Sequence, residues 1–356
     1  MNTMRFIWMP LATVLLAPAA QAQLAPANGL TLSARLGFNV STRFKGNTTD
    51  LPTFAPTRLT PNGDAYNYDD GYVLTDSSGN FGGQTWYWGY DNSATHPSGQ
   101  ISDGISFPEN TVLLNRSTPT GSYSSSSDAD DPIPGVELNY SRYLGPIGSS
   151  GTWGLEIAVN WQSLSVHDSS TFSGAAMRVT DAYPFSPGTT PPTASPINPY
   201  QGAYGDEGFL LGDTPVSSTT TLVPGGATIS GQRRFEADLW GFRLGPYMSF
   251  PVSQKLSLSI SGGLAVGLID SQASWSDTVT VAGKSVTTKG SGDDFGILWG
   301  GVAAANLSWS FSDHWSATAG VQYQYLGTYE ADYGKRSVEV DLTQSFFLLV
   351  GASYKF

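Results

Sequence analysis

The feature that most constrains this chain is an unbroken two-residue alternation that recurs along its length. Leu30, Leu32, Ala34, Leu36, Phe38 and Val40 share one parity, and Thr31, Ser33, Arg35, Gly37, Asn39 and Ser41 share the other. Successive side chains of a strand point to opposite faces, so such a register describes a strand with a different solvent on each side. The pattern returns at Trp153, Leu155, Ile157, Val159 and Trp161, at Leu256, Leu258, Ile260, Leu264, Val266 and Leu268, and at Trp315, Ala317, Ala319, Val321, Tyr323 and Tyr325. Segments beginning at Val136 and Phe295, one from Trp240 to Phe250 and one from Val338 to Phe356 bring the count to eight strands.

The polar parity is built of Ser, Thr, Gly, Asn and Gln, and only 13% of the 356 residues are charged. A soluble domain carries about 25%. A water-soluble sandwich also alternates, but it would expose a charged face and keep its aromatics at strand middles. Here Trp153, Phe250, Trp309, Phe311, Trp315, Tyr354 and Phe356 sit beside short turns or the terminus, and Trp161, Trp240, Phe295, Tyr323 and Tyr325 lie toward the other end. Two aromatic belts suit the two boundaries of a membrane. The connections alternate in the same way. Those at 145–151, 251–254 and 312–314 are tight, and those at 44–132, 168–231, 270–293 and 328–337 are long. The expected fold is all-β: a transmembrane, antiparallel, up-and-down β-barrel of eight strands with long extracellular loops. The count becomes ten if residues 176–183 pair with part of the first loop.

Residues 1–22 read as a signal peptide, with Arg5, an apolar stretch over 6–17 and Ala20-Gln21-Ala22 before the cut. That stretch is shorter than the roughly 20 residues a spanning helix needs. The barrel then occupies 23–356. With no Cys, a disulfide framework and Cys-ligated zinc are excluded. A net charge of −12 speaks against nucleic acid as a partner.

The chain stops on Ser353-Tyr354-Lys355-Phe356, with Ala352, Val350 and Leu348 preceding on the same parity. This terminus resembles the assembly signal of Gram-negative outer-membrane proteins, carried here by Tyr354 and Phe356. With the export signal and eight strands, the chain resembles the small outer-membrane barrels that include the OmpA-, OmpX- and OmpW-like proteins. The resemblance implies residence in the outer membrane. The implied partners are outer-membrane lipid and lipopolysaccharide, and the barrel-assembly machinery during biogenesis. No cofactor is implied.

Function is then sought in the lumen and loops. The first loop holds 11 acidic residues against three basic ones, −8 of the total −12. It also carries Tyr66-Asn67-Tyr68-Asp69-Asp70 and Trp86-Tyr87-Trp88-Gly89-Tyr90-Asp91. Aromatic surface on that scale either packs into a lid or plug or stacks on a ligand. Trp86, Trp88, Tyr90, Asp69 and Asp70 are therefore the candidate residues for an extracellular glycan or protein ligand. A Ca²⁺ site near Asp69, Asp70 and Asp76 lacks any established ligand spacing. The Pro-rich second loop favours irregular structure.

Three His leave little room for acid–base chemistry: His96, His314 and His167. Ser163, Ser165 and His167, with Asp168 adjacent, are the one arrangement worth testing for a lipid-modifying hydrolase, and non-enzymatic function is the expectation. A role in structure or surface interaction comes first, and a narrow porin for small solutes second. In the lumen, Arg35, Glu156, Arg243 and Lys355 are candidates to pair with one another.

Overall fold

The structure is a computed structural model that describes residues 28–47, 65–74, 82–91, 101–102, 105–129, 132–148, 150–203, 207–334 and 336–356. The signal-peptide segment, His96 and Asp76 lie outside the described residues. Eight antiparallel strands form a ring: β1 (Gly29–Phe38), β2 (Ile133–Ile147), β3 (Gly151–Asp168), β4 (Ser217–Pro251), β5 (Leu256–Val281), β6 (Lys284–Ser310), β7 (Trp315–Tyr325) and β8 (Ser345–Lys355). Each pairs with the next, and β8 closes on β1 with Leu30 opposite Tyr354 and Leu36 opposite Leu348. The fold is therefore a closed, all-β barrel of eight strands. Closure matters physically, because a sheet with no free edge is the β form that satisfies its backbone inside a bilayer.

The outward parity is the apolar one read from the sequence, except at Val40, Val338, Val340 and Leu342, which were read into the first and last strands but lie beyond β1 and β8 and turn into the core. Leu32 (61% exposed), Leu264 (73%), Trp299 (73%) and Val350 (64%) would be untenable in water as part of one continuous apolar surface, and are at home in lipid. At the short-turn end, Tyr354 and Phe356 face outward in an aromatic belt: Trp315 lies 5.0 Å from Tyr354, and Phe356 stacks within 6.4 Å of both Tyr354 and Tyr140.

Toward the long-loop end the alternation inverts without a break in the strands. On β3 the outward apolar series ends at Trp161, and Leu164 and Val166 then point inward. On β4, Trp240 faces out while Leu239, Ala237 and Phe235 above it are buried. On β5, Leu268 gives way to buried Ile269 and Ala273. Trp161, Trp240 and Leu268 are direct neighbours across the ladder, so the inversion falls on one row. Below that row the outside is lipid. Immediately above it the outward residues of these three strands turn polar, with Ser163, Asp238 and Asp270 first, and the inward ones become mainly apolar.

The other half of the ring bends inward above this row. β1 is followed, after Asn39 at φ 63°, by a strand at Ser41–Asn47. β7 is followed, after Gly327 at φ 79°, by one at Thr328–Asp332. Together with Ser122–Asp128 and Arg336–Asp341 these form a four-stranded sheet that extends β2, β1, β8 and β7. Its inner side chains, Phe44, Val338, Val340, Tyr329 and Ala331, pack on Val166, Phe235 and Ile269 of the straight half. Above the lipid boundary the barrel thus flattens into a two-sheet sandwich.

The 270–293 connection, read above as a loop, is instead the top of the β5–β6 pair. It closes through a two-residue turn with Ala282 at φ 48° and Gly283 at φ 76°, values that the mirror-image hairpin turns require. The pairing suggested for 176–183 does occur: Phe172–Pro184 pairs with Thr111–Thr120 of the first loop. It adds no strand to the ring, because Phe172–Pro184 runs above β3 against the upper part of β4, while β3 itself pairs with β4 from Thr152 to Asp168.

Candidate functional site

Side chains close the lumen at two levels. At mid-membrane, β1, β2, β3 and β4 each contribute one charged residue to a buried cluster. Arg35 Nη1 donates to Glu137 Oε2 at 3.1 Å, and Arg243 Nη2 donates to Glu137 Oε1 at 2.7 Å. The second Arg243 nitrogen meets Glu156, which also accepts from Asn139 at 3.2 Å. Arg35 bonds Gln324 and lies 3.6 Å from the centre of the Phe347 ring. Two cations and two carboxylates leave the cluster neutral. Of the predicted lumen charges, Arg35, Glu156 and Arg243 join here. Glu137, which lies on the same face and opposite Ser33 of β1, is the central partner the sequence reading missed.

On the short-turn side of this cluster lies a polar vestibule of about 650 Å³. Its walls are hydroxyls such as Ser257, Ser316 and Thr318, and Lys355 lines it as well. On the long-loop side the dry sandwich core begins, with Leu326, Leu342, Leu239 and Val40 directly above.

A second buried ionic network fastens the two sheets of the sandwich. Arg233 on β4 lies 2.9 Å from Asp168 and 2.7 Å from Asp277, and Asp277 also receives Tyr123 at 2.7 Å and Arg336. Tyr123 stacks on Phe172 with ring centres 5.5 Å apart, and Arg233 lies over both rings. Burial, then the bond to Asp277, pushes the Tyr123 hydroxyl up to about 12. Asp168 is desolvated, but bonds from Ser170, Ser125 and Arg233 outweigh that and hold its carboxyl below the usual range.

The aromatic stretch of the first loop builds the cap of the head. Trp88 and Tyr90 are fully buried with Tyr68, Val112, Leu114, Tyr183 and Phe185. The Trp88 indole donates to Phe209 O at 2.7 Å, and its ring stacks at 5.3 Å on Tyr90, whose hydroxyl donates to Pro192 O. Trp86 is half-buried. Asp69 and Asp70 bind the edge of Thr111–Thr120. Ser117 N donates to Asp69 at 2.6 Å, and Asn115 N and Nδ2 donate to Asp70 at 2.8 and 2.7 Å. Lys284 lies 3.6 Å from Asp69. Burial dominates at Asp70 and raises its carboxyl to about 6 despite the Asn115 bonds. Of the five candidates, then, Trp88 and Tyr90 are core and Asp69 and Asp70 are engaged with backbone donors. Among the described residues, no group of three or more acidic or His side chains is arranged to hold a metal ion.

Ser163 and His167 stand exposed on the outer face of β3, with His167 opposite Arg234, whereas Asp168 faces the inner network. A Ser–His–Asp relay is not assembled there.

No protein-family model and no curated protein matches the chain. Among solved structures it is similar to Ail, the attachment invasion locus protein of Yersinia pestis, in complex with the heparin analogue sucrose octasulfate. That match has 9% identity, covers 93% of this chain and 99% of that one, and has a TM-score of 0.25. It is also similar to the outer membrane protein OprG from Pseudomonas aeruginosa, at 9% identity, 93% and 97% coverage and a TM-score of 0.30.

Proposed function

We propose that this chain, an integral outer-membrane barrel, acts in surface recognition through its extracellular head, with a glycan or a protein as ligand. One observation carries the reading: the lumen is closed by the neutral charge cluster and, above it, by a dry core that includes Val166, Phe235, Val338 and Val340. An eight-stranded barrel leaves little more than room for side chains in any case. The chain's extended β strands are spent above the membrane, where β5 continues 13 residues past Leu268, about 40 Å along the strand. The contact surface is assigned to the cap around Trp86, with Trp88, Tyr90, Asp69 and Asp70 setting its shape from beneath. No catalytic role is assigned, and outer-leaflet lipid and the assembly machinery, the latter through Tyr354 and Phe356, are the remaining partners.

The alternative, small-solute passage, draws on the vestibule of about 650 Å³. Two measurements on the folded full chain separate the readings. Planar-bilayer recording is expected to be silent. Nanodisc-embedded protein on arrays of glycans and extracellular matrix proteins is expected to show saturable binding, weakened at least fivefold by Trp86→Ala. Discrete conductance steps, or an array without saturable binding, would overturn the proposal.

A further inference from the structure

The vestibule on the short-turn side of the lumen carries a charge pattern that closing the barrel does not require. Glu137 and Glu156 line it, whereas Arg35 and Arg243, the cations that bind them, do not. Its inner end is thus a carboxylate surface, although the cluster as a whole is neutral. Each Glu156 oxygen receives one donor, Arg243 on one and Asn139 Nδ2 on the other, and has room for a second. Asn139 Oδ1, on the same wall, is buried and has no donor among the described residues. These groups are all acceptors, and an ammonium carries three donors. At the mouth the sign reverses. Lys355, half-buried, is the one cation among the lining residues, and none of the ion pairs among the described residues involves it. Its backbone is pinned at the rim, where Lys355 N donates to His314 O at 2.8 Å and its carbonyl meets the His314 ring at 3.0 Å. Between the two ends the wall is hydroxyl, with Ser141, Ser257, Ser308 and Thr318 among its residues.

Charge and distance together select the ligand. A cation alone would meet Lys355 at the mouth, and an anion alone would meet the carboxylates at the inner end. A molecule with both charges suits both ends. Along β1, Lys355 stands opposite Gly29, Asn139 opposite Thr31 and Glu137 opposite Ser33. The acceptors therefore begin two residues above the cation and end four above it, about 7–13 Å along the strand. A free amino acid carries both charges on one carbon and is too short to reach across. An extended tripeptide spans about 10 Å. Its backbone N–H and C=O groups find partners in the hydroxyl wall, and the volume of about 650 Å³ accommodates it.

We propose that the vestibule is a binding site for a short zwitterionic peptide, of about three residues, which enters from the short-turn mouth with its ammonium leading toward Asn139 and Glu156 and leaves its carboxylate on Lys355. The peptide goes no further, because Arg35 and Arg243 and then the dry core stand above it. The mouth opens on the periplasmic side of an outer-membrane barrel. The site is separate from the cap, and the proposal is independent of what the cap recognises.

The chain has no Cys, so single labels are unambiguous. A trifluoromethyl probe at Thr318→Cys on the vestibule wall, and one at Ser124→Cys on the bent sheet as control, are followed by fluorine NMR in phosphatidylcholine nanodiscs. The ligands titrated are trialanine, N-acetyl-trialanine and trialanine amide, of which the last two each lack one charge. Trialanine is expected to give a saturable shift in the millimolar range at 318 and none at 124, and each capped peptide to bind at least fivefold more weakly. Lys355→Gln is expected to make trialanine and its amide bind alike while the acetylated peptide stays weakest. Asn139→Ala is expected to narrow the gap between trialanine and its acetylated form. Calorimetry on the unlabelled chain should repeat the ranking. No saturable shift at 318, or equal affinity for the three peptides, overturns the proposal. So does a Lys355→Gln variant that still distinguishes carboxylate from amide. Band shift on heating verifies that each variant is folded. Cap recognition is scored separately on the glycan and matrix-protein arrays, so either reading can fail alone.

Discussion

The neutral cluster at mid-lumen makes a sharp energetic prediction. Glu137 accepts from Arg35 at 3.1 Å and from Arg243 at 2.7 Å, and all three side chains are at most 5% exposed. Glu137→Gln changes the cluster from neutral to +1 and leaves two guanidinium groups facing each other without their shared anion. Breaking a buried pair from one side costs about 3–5 kcal/mol, because a charge remains desolvated without compensation. Arg243→Gln alone should cost a similar amount by stranding Glu137 and Glu156 against one remaining cation. The double variant restores neutrality, with Arg35 kept by Gln324 and Glu156 by Asn139. Its loss should therefore fall short of the summed single losses by about 1.5 kcal/mol or more. The assay is urea unfolding of the liposome-inserted protein, followed by tryptophan emission from the lipid-facing belt. Single losses below about 1 kcal/mol, or additivity within the roughly 0.5 kcal/mol expected of independent sites, would mean that water reaches the cluster and that the lumen is not closed there.

Two further outcomes concern the head. Trp88→Ala removes the centre of the cap core and should destabilise it by about 3–5 kcal/mol; limited proteolysis should then cut within residues 65–91 while the heat-resistant barrel band persists, and a cap as resistant as wild type would contradict the packing. Asp70 is raised to about 6 from an ordinary 3.8. A raised carboxyl favours the folded cap fully below pH 4, and that contribution, roughly 3 kcal/mol, is lost as pH rises through 6. Protease resistance of the cap should fall across that window in wild type, and a flat profile would refute the desolvation of Asp70.

The membrane part of the fold was legible because lipid punishes every exception to alternation. Leu30 to Phe38 and Trp153 to Trp161 needed no context to read, and the lumen charges Arg35, Glu156 and Arg243 stood out against Ser and Gly. Above the lipid boundary the same rule failed for a physical reason. At 270–293 the outward residues are Ser, Thr, Gln, Lys and Asp, and the inward ones include Gly290 and Gly292, whose missing side chains leave room for Trp275 and Tyr333. A strand of that composition reads as a loop. The inward shift of apolar parity at Leu164, Val166, Phe235 and Ala237 was present in the sequence and marks the sandwich. The aromatic cap was legible as packing or binding but not as one rather than the other, since Trp88 and Trp86 differ only in the partners that distant residues bring, Phe209 and Tyr200 among them.

The inversion of apolar parity along β3, β4 and β5 also fixes how deep the molecule floats. A barrel with a uniform outer face could ride up or down by a few residues at little cost. Here a sink of two residues would drag Asp238 and Asp270 into hydrocarbon, and a rise of two would lift Trp161, Trp240 and Leu268 into water. Both displacements are opposed on the same three adjacent strands, so the row acts as a waterline. A single-residue insertion within one of these strands would be worse than either, because it would turn one zone inside out while leaving the other correct.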